Sequence, residues 1–402
     1  MINFKNSLKK LNIILLVISL VISSCCITSC TDKNEIETLA FPVALGVDLD
    51  KDNNFIVSIQ ILKGMNSLKT QGTKQILKTD VYMCSGSTIY NALNNLSKKL
   101  SMPIKFSNEK FIVVGQNLAE FSVKPIIDFS LRFSEIRPTT PILVTHGKAE
   151  DILKTQVTEN PISAYAINYL ITRQKYLGFS PTTTNLEFEN SMNSHNPIST
   201  CGVIDMATRN ENTSTSSFLV AGSAVFRKDK LIGYMNTDET RGMQWIKSKI
   251  KSGNIVIYPH DKGKISLDII KSSSKLKPSI DNNKANFEVY IKAQSNISEI
   301  SSSTYKYMDF NRDPIILDEL SEEQNKAIHS EVSAAINAAQ NRLSADIFDF
   351  GNLLYREYPH QWENIKNNWD KLFPNINIKV NISSKINQTG TISKSIDAGK
   401  VK

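Results

Sequence analysis

The sequence predicts an α+β protein: a multidomain ectodomain of mixed or antiparallel sheets with packed helices, long C-terminal helices and a final strand. Three observations carry that prediction. Strand-like apolar runs recur from Phe41 onward, the longest helical patterns are segregated near the C-terminus, and no regular strand–helix–strand rhythm joins them. The length of 402 residues suggests two or three domains, and 41% hydrophobic with 21% charged residues is the balance of an ordinary folded chain.

Residues 1–29 read as a lipoprotein signal peptide. Lys5, Lys9 and Lys10 make a basic start, and the apolar run from Leu11 to Ile22 is shorter than the ~20 residues that span a bilayer. The alternative is an uncleaved signal anchor. The segment ends in Ile27-Thr28-Ser29-Cys30, an aliphatic residue and two small ones before cysteine, which is the pattern of a bacterial lipobox. In that chemistry the thiol takes a diacylglyceryl thioether and a peptidase cuts just before it. Ile22-Ser23-Ser24-Cys25 matches the same pattern, so the motif alone leaves both Cys30 and Cys25 as candidates for lipid attachment.

Beyond residue 30 the elements follow in order. Phe41–Lys63 reads as a hairpin around an Asp/Asn turn. Asp48, Asp50 and Asp52 imitate the start of a calcium loop, but Asn53 stands where such a loop needs glycine and Ile59 where it needs glutamate. A strand through "QILKTDVYMCS" precedes a helix from Ser87, with Ile89, Leu93, Leu96 and Leu100 at helical spacing. "KFIVVG" and "PILVTHG" read as strands, "KAEDILK" as a helical turn, and "VKPIIDFSLRF" and "PISAYAINYLITRQKYL" as helices, the last opening on a proline.

Residues 178–216, rich in Asn, Ser and Thr, mark the connection between an N-terminal region (30–200) and a C-terminal domain (217–402), with the linker proper at 201–216. After it come two strands around the turn Arg227–Lys230 and a helix capped by Thr237 or Asp238. Three alternating runs follow, at Ile255/Ile257, Ile265/Leu267/Ile269 and Phe287/Val289/Ile291. Ser321 and Gln324 form a capping-box pair for a long helix with Ile328, Val332, Ala335, Ile336, Ala339 and Leu343 on one face, continuing through "ADIFDFGNLLYREYP". A second amphipathic helix carries Trp362, Ile365, Trp369 and Leu372, and "INIKVNIS" is the final strand.

Composition and motifs exclude several function classes. Net charge is +8, with three of the positives before residue 30, and no dense basic helix points to nucleic acid. The five histidines are scattered, and neither a P-loop, a nucleophile elbow nor a dinucleotide fingerprint occurs. No catalytic, cofactor-binding or metal-ligating set is assigned, and the reading is that the chain is not an enzyme. Cys84 and Cys201 read as small buried hydrophobes within strands.

Blocks in order carry a family resemblance. Asp32, Lys33, Glu35 and Ile36 follow Cys30; Asp128, Phe129, Arg132, Glu135, Ile136 and Arg137 form a second block. The most specific is "GSAVFRKDKLIGYMNTDETRGMQWI", with Gly222, Phe226, Gly233, Glu239, Thr240, Arg241, Gly242 and Trp245. The last runs from Ala345, Asp346 and Phe348 through Trp362 and Trp369 to Phe373, Pro374 and Gly390. In these blocks the sequence resembles the Ger(x)C family, the lipoprotein C subunits of spore nutrient-germinant receptors. The resemblance implies an ectodomain without catalytic residues or cofactor. It implies anchoring through diacylglycerol on Cys30, because the family places its lipidated cysteine directly before the first block. It also implies location on the outer face of the spore inner membrane and partnership with polytopic A and B subunits. Glu239 and Arg241 are expected to form a buried ion pair or a partner contact. The competing reading is an extracytoplasmic solute-binding lipoprotein.

Overall fold

The computed structural model describes residues 11–20, 39–62, 79–157, 160–207, 216–259, 263–281, 284–301 and 314–388. Residues 11–20 form helix α1, with its apolar side chains exposed. Cys25, Cys30 and the block at residues 32–36 lie outside the described residues. Among the described residues no helix is long and apolar enough to cross a membrane.

Eight strands form one mixed sheet. In spatial order they are β3 (Thr79–Gly86), β2 (Phe55–Leu62), β1 (Pro42–Leu49), β4 (Ile112–Val114), β5 (Ile142–Val144), β6 (Ile198–Ala207), β7 (Ser217–Arg227) and β8 (Lys230–Met235). Antiparallel strands flank both sides of a centre in which β1, β4, β5 and β6 run parallel. A parallel centre needs cover on both faces, and β1 (PVALGVDL) is accordingly buried along its whole length. Helices α2 (Ile89–Ser97), α3 (Gln116–Phe121), α4 (Lys124–Arg132) and α7 (Asn185–Met192) build the core on one face. On the other face lie α5 (Ala149–Lys154) and α6 (Ser163–Leu177), which ends on Gly178 in the left-handed conformation at φ 74°.

The second sheet has four strands in the order β12 (Asn377–Gln388), β11 (Lys284–Ile300), β10 (Ile265–Asp281) and β9 (Gly253–Ile257). Its third core is shared with α8 (Thr237–Ile246), α9 (Pro314–Asn337), α10 (Phe350–Glu357), α11 (Pro359–Ile365) and α12 (Trp369–Leu372). Ile198, Val225 and Met235 from the first sheet enter that same core, so apolar packing is continuous from one sheet to the other. The architecture is α+β, as expected.

Several sequence expectations are corrected. Residues 201–207, within the expected linker, are the second half of β6, between β5 and β7, and β7 and β8 complete the first sheet. Ser321 and Gln324 do not cap α9, which begins seven residues before Ser321 at Pro314. Instead the Ser321 hydroxyl donates to the Leu317 carbonyl (2.7 Å), and the Gln324 amide donates to Ser295 Oγ of β11 (2.6 Å). The long helix does not continue through 345–350: a π-type turn at Ala338–Arg342 ends it, and Ser344 and Asp349 have φ of 47° and 71°. The cap of α8 is Asn236, whose side chain accepts the Glu239 N–H, while the Glu239 carboxylate accepts the Asn236 N–H. The expected second amphipathic helix is split into α11, a 3-10 turn and α12, with Trp362 and Trp369 both buried but Leu372 exposed.

Candidate functional site

Glu239 and Arg241 lie on α8, the helix between the two sheets, and they do not pair with each other. Arg241 is buried (3% exposed), with its Nε 3.1 Å from the carboxylate of Glu331 on α9. The Trp245 indole, one turn further along α8, donates to the same carboxylate at 2.6 Å. Burial raises the Glu331 pKa; Arg241 and the two hydrogen bonds oppose that rise without cancelling it. The guanidinium carbon of Arg241 sits 4.9 Å from the Phe179 ring centroid, a cation–π contact on the first-sheet side. Glu239 is held separately, 2.6 Å from Arg342 at the end of the π-type turn, and Arg342 also donates to the Tyr234 carbonyl of β8 (2.7 Å).

α8 can approach α9 this closely because of Gly242. A methyl group there would stand 2.0 Å from the Glu331 carbonyl and 2.7 Å from Ala335 Cβ. Other bonds run parallel to this crossing. Arg227 of β7 donates to the Ser344 carbonyl (2.6 Å), and the Asn196 amide donates to the Asp346 carbonyl (2.8 Å). Asp346 is itself buried and gathers the N–H groups of Phe350 (3.1 Å) and Gly351 (2.7 Å) and the Trp369 indole (3.1 Å). Desolvation nevertheless pushes its pKa up to about 6.

The remaining expected features find structural roles. Asp48 is buried and accepts the Ala149 (2.8 Å) and Glu150 (3.1 Å) N–H groups at the start of α5, with burial raising its pKa to about 6. It therefore turns away from Asp50, which makes its own turn with the Asp52 and Asn54 N–H groups. Among the described residues no three His, Cys, Asp or Glu side chains are grouped to hold a metal ion. Cys84 and Cys201 are unbridged; Cys201 is fully buried, which raises its pKa. The sequence did not reveal the pair His146–Asp205, with Nδ1 and Oδ2 2.7 Å apart, since its members are 59 residues apart and match no motif.

Fold and site together define a two-sheet α+β protein in which one buried ion pair, Arg241–Glu331, and several hydrogen bonds fasten the hairpin and helix at one sheet's edge to the helices over the other. Two family profiles match it in sequence order: the spore germination protein N-terminal domain over residues 32–206, and the C-terminal domain of the spore germination B3/GerAC-like proteins over residues 221–390. Spore germination protein KC of Bacillus subtilis is 27% identical, over 94% of this chain and 96% of its own. Spore germination protein B3 of the same organism is 25% identical, over 91% and 95%. Among solved structures, the crystal structure of the GerBC protein matches with a TM-score of 0.56 at 20% identity, covering 88% of this chain and 99% of that one. The chain belongs to the Ger(x)C family of spore germination proteins.

Proposed function

We propose that this chain is the lipid-anchored, non-enzymatic C subunit of a nutrient germinant receptor. In this reading diacylglycerol on Cys30 holds it to the outer face of the spore inner membrane, where it assembles with polytopic A and B subunits. The observation that carries the reading is the ordered match of both family segments, which span residues 32–206 and 221–390 and begin just after Cys30. Stable attachment fits the lipobox, since two acyl chains anchor a protein where one is marginal. The solute-binding alternative is less well supported: the two sheets are unlike each other, whereas such receptors have two similar parallel α/β halves.

The test is affinity capture of the tagged chain from spore membranes, with identification of what comes with it. Two polytopic subunits are expected in the capture, and Cys30→Ala should abolish lipid labelling and release the chain from the membrane. Capture without any polytopic partner would count against assembly. Retained labelling in the Cys30→Ala variant would move the anchor to Cys25.

A further inference from the structure

A cleft of about 740 Å³ opens between the two sheets, within the ~300–1,000 Å³ typical of small-molecule sites. Its walls come from the end of α6, residues 181–184, α7 and β6 on one side, and from the end of α8, β10 and α10 on the other. We propose that this cleft binds a small polyhydroxylated anion, a sugar phosphate or a sugar acid, with the Lys247 ammonium as the cationic anchor for its anionic group.

Charge carries the first part of the argument. Lys175, Lys247, Lys249 and Arg356 line the cleft against Glu187 and Asp349, so cations outnumber carboxylates two to one. Lys247 is half-buried at the C-terminal end of α8; its backbone N–H donates to the Met243 carbonyl (3.0 Å), but among the described residues its ammonium has no hydrogen bond or ion pair. Burial lowers its pKa, while Asp349 and Asp346 favour the charged form. An anion in the cleft would offset the desolvation of this ammonium directly.

The walls carry the second part. Gln174 is 8% exposed and lines the cleft, and its buried Oε1 accepts no hydrogen bond among the described residues. Ser274 Oγ on the facing wall is likewise buried without a partner. Buried polar atoms are costly unless satisfied, and these two ask for hydroxyl groups on the occupant. Leu276 and Leu353 add apolar surface suited to the C–H edges of a sugar. A bare inorganic anion would satisfy Lys247 and leave the Gln174 oxygen unpaired. The inference is independent of membrane anchoring and subunit assembly.

The experiment titrates the full-length protein in detergent with glucose 6-phosphate, gluconate, glucose and inorganic phosphate, following the melting temperature and heat of binding. At least one of the two anionic sugars should stabilise the protein and bind more tightly than both glucose and phosphate, and which of them does so separates a phosphate from a carboxylate ligand. In Lys247→Met that binding should weaken about tenfold or more, as for loss of a hydrogen bond to a charged group. Should Lys247→Met fail to fold, the exposed Lys249→Met is expected to weaken it by about threefold. No stabilisation by either anionic sugar, phosphate binding as tightly as the sugar, or unchanged affinity in the folded lysine variants would each overturn the proposal.

Discussion

Arg241 and Glu331 illustrate how a buried pair constrains its neighbours. The arginine is almost fully enclosed, and its carboxylate partner among the described residues comes from a helix 90 residues further along the chain. Removing one partner of such a pair leaves the other charge stranded. Glu331→Leu is therefore expected to cost about 3 kcal/mol, while the double change Arg241→Met with Glu331→Leu should recover most of it. Urea midpoints around the four-member cycle test this; a double variant as unstable as the sum of the singles would refute the coupling. The buried carboxyls Asp48 and Asp346 give a pH dependence. Both are raised to about 6 in the folded state, against about 3.9 in the unfolded chain. Between those values the folded protein holds protons that the unfolded chain has released. Their contribution is thus complete below about pH 4 and fades as pH rises through about 6. The urea midpoint is expected to be higher at about pH 5 than at about pH 7, with a smaller difference in Asp346→Asn, whose one amide oxygen can keep the Gly351 and Trp369 N–H bonds while the Phe350 N–H loses its acceptor. An undiminished difference in that variant would assign the slope to other groups.

At the scale of elements, the α8–α9 crossing depends on one missing side chain. A methyl at Gly242 meets the Glu331 backbone, which cannot rotate away, so Gly242→Ala must push the helices apart. The expected cost is about 3 kcal/mol, read as a lower urea midpoint with loss of the Trp245–Glu331 bond. An unchanged midpoint would mean that the crossing tolerates separation. Local patterns announced most of these elements. The apolar runs at β1, β4 and β5 read as strands, and α2, α4 and α6 follow their helical spacing. Glu239 and Arg241 were legible as unusual charges in the most specific family block. Glu331 and Arg342 were not, although Glu331 stands four residues before Ala335 on the apolar face of α9, a signal that could have marked it. The end of α9 escaped for a different reason: Asp346 collects N–H groups from residues up to five positions ahead, so a side chain replaces the helical carbonyls and the helical pattern in the sequence runs on unbroken.

At the scale of the molecule, what escaped the sequence is what lies far apart along the chain. The parallel centre of the first sheet pairs β1 with β4 and β5 with β6 across long intervals, which leave no local period to read. The same holds for the boundary at residue 201: its Ser- and Thr-rich surroundings look like a connection, yet Cys201, Gly202, Val203 and Ile204 are all buried between neighbouring strands. The consequence can be tested. A chain ending at residue 216 keeps β6 but lacks β7 and β8, so it loses Ala224 and Phe226 from the core over one face and Val220 from the core over the other. It also exposes the unpaired edge of β6, a template for association. We expect residues 30–216 expressed alone to show no cooperative urea transition and to bind the dye ANS, as loosely packed states do. The full chain should unfold in one transition, because Met243, Trp245 and Ile246 of α8 belong to the core that Val225 and Met235 share with the second sheet. A cooperative transition in the short chain, or two separated transitions in the long one, would show that the sheets are independent units despite their shared core.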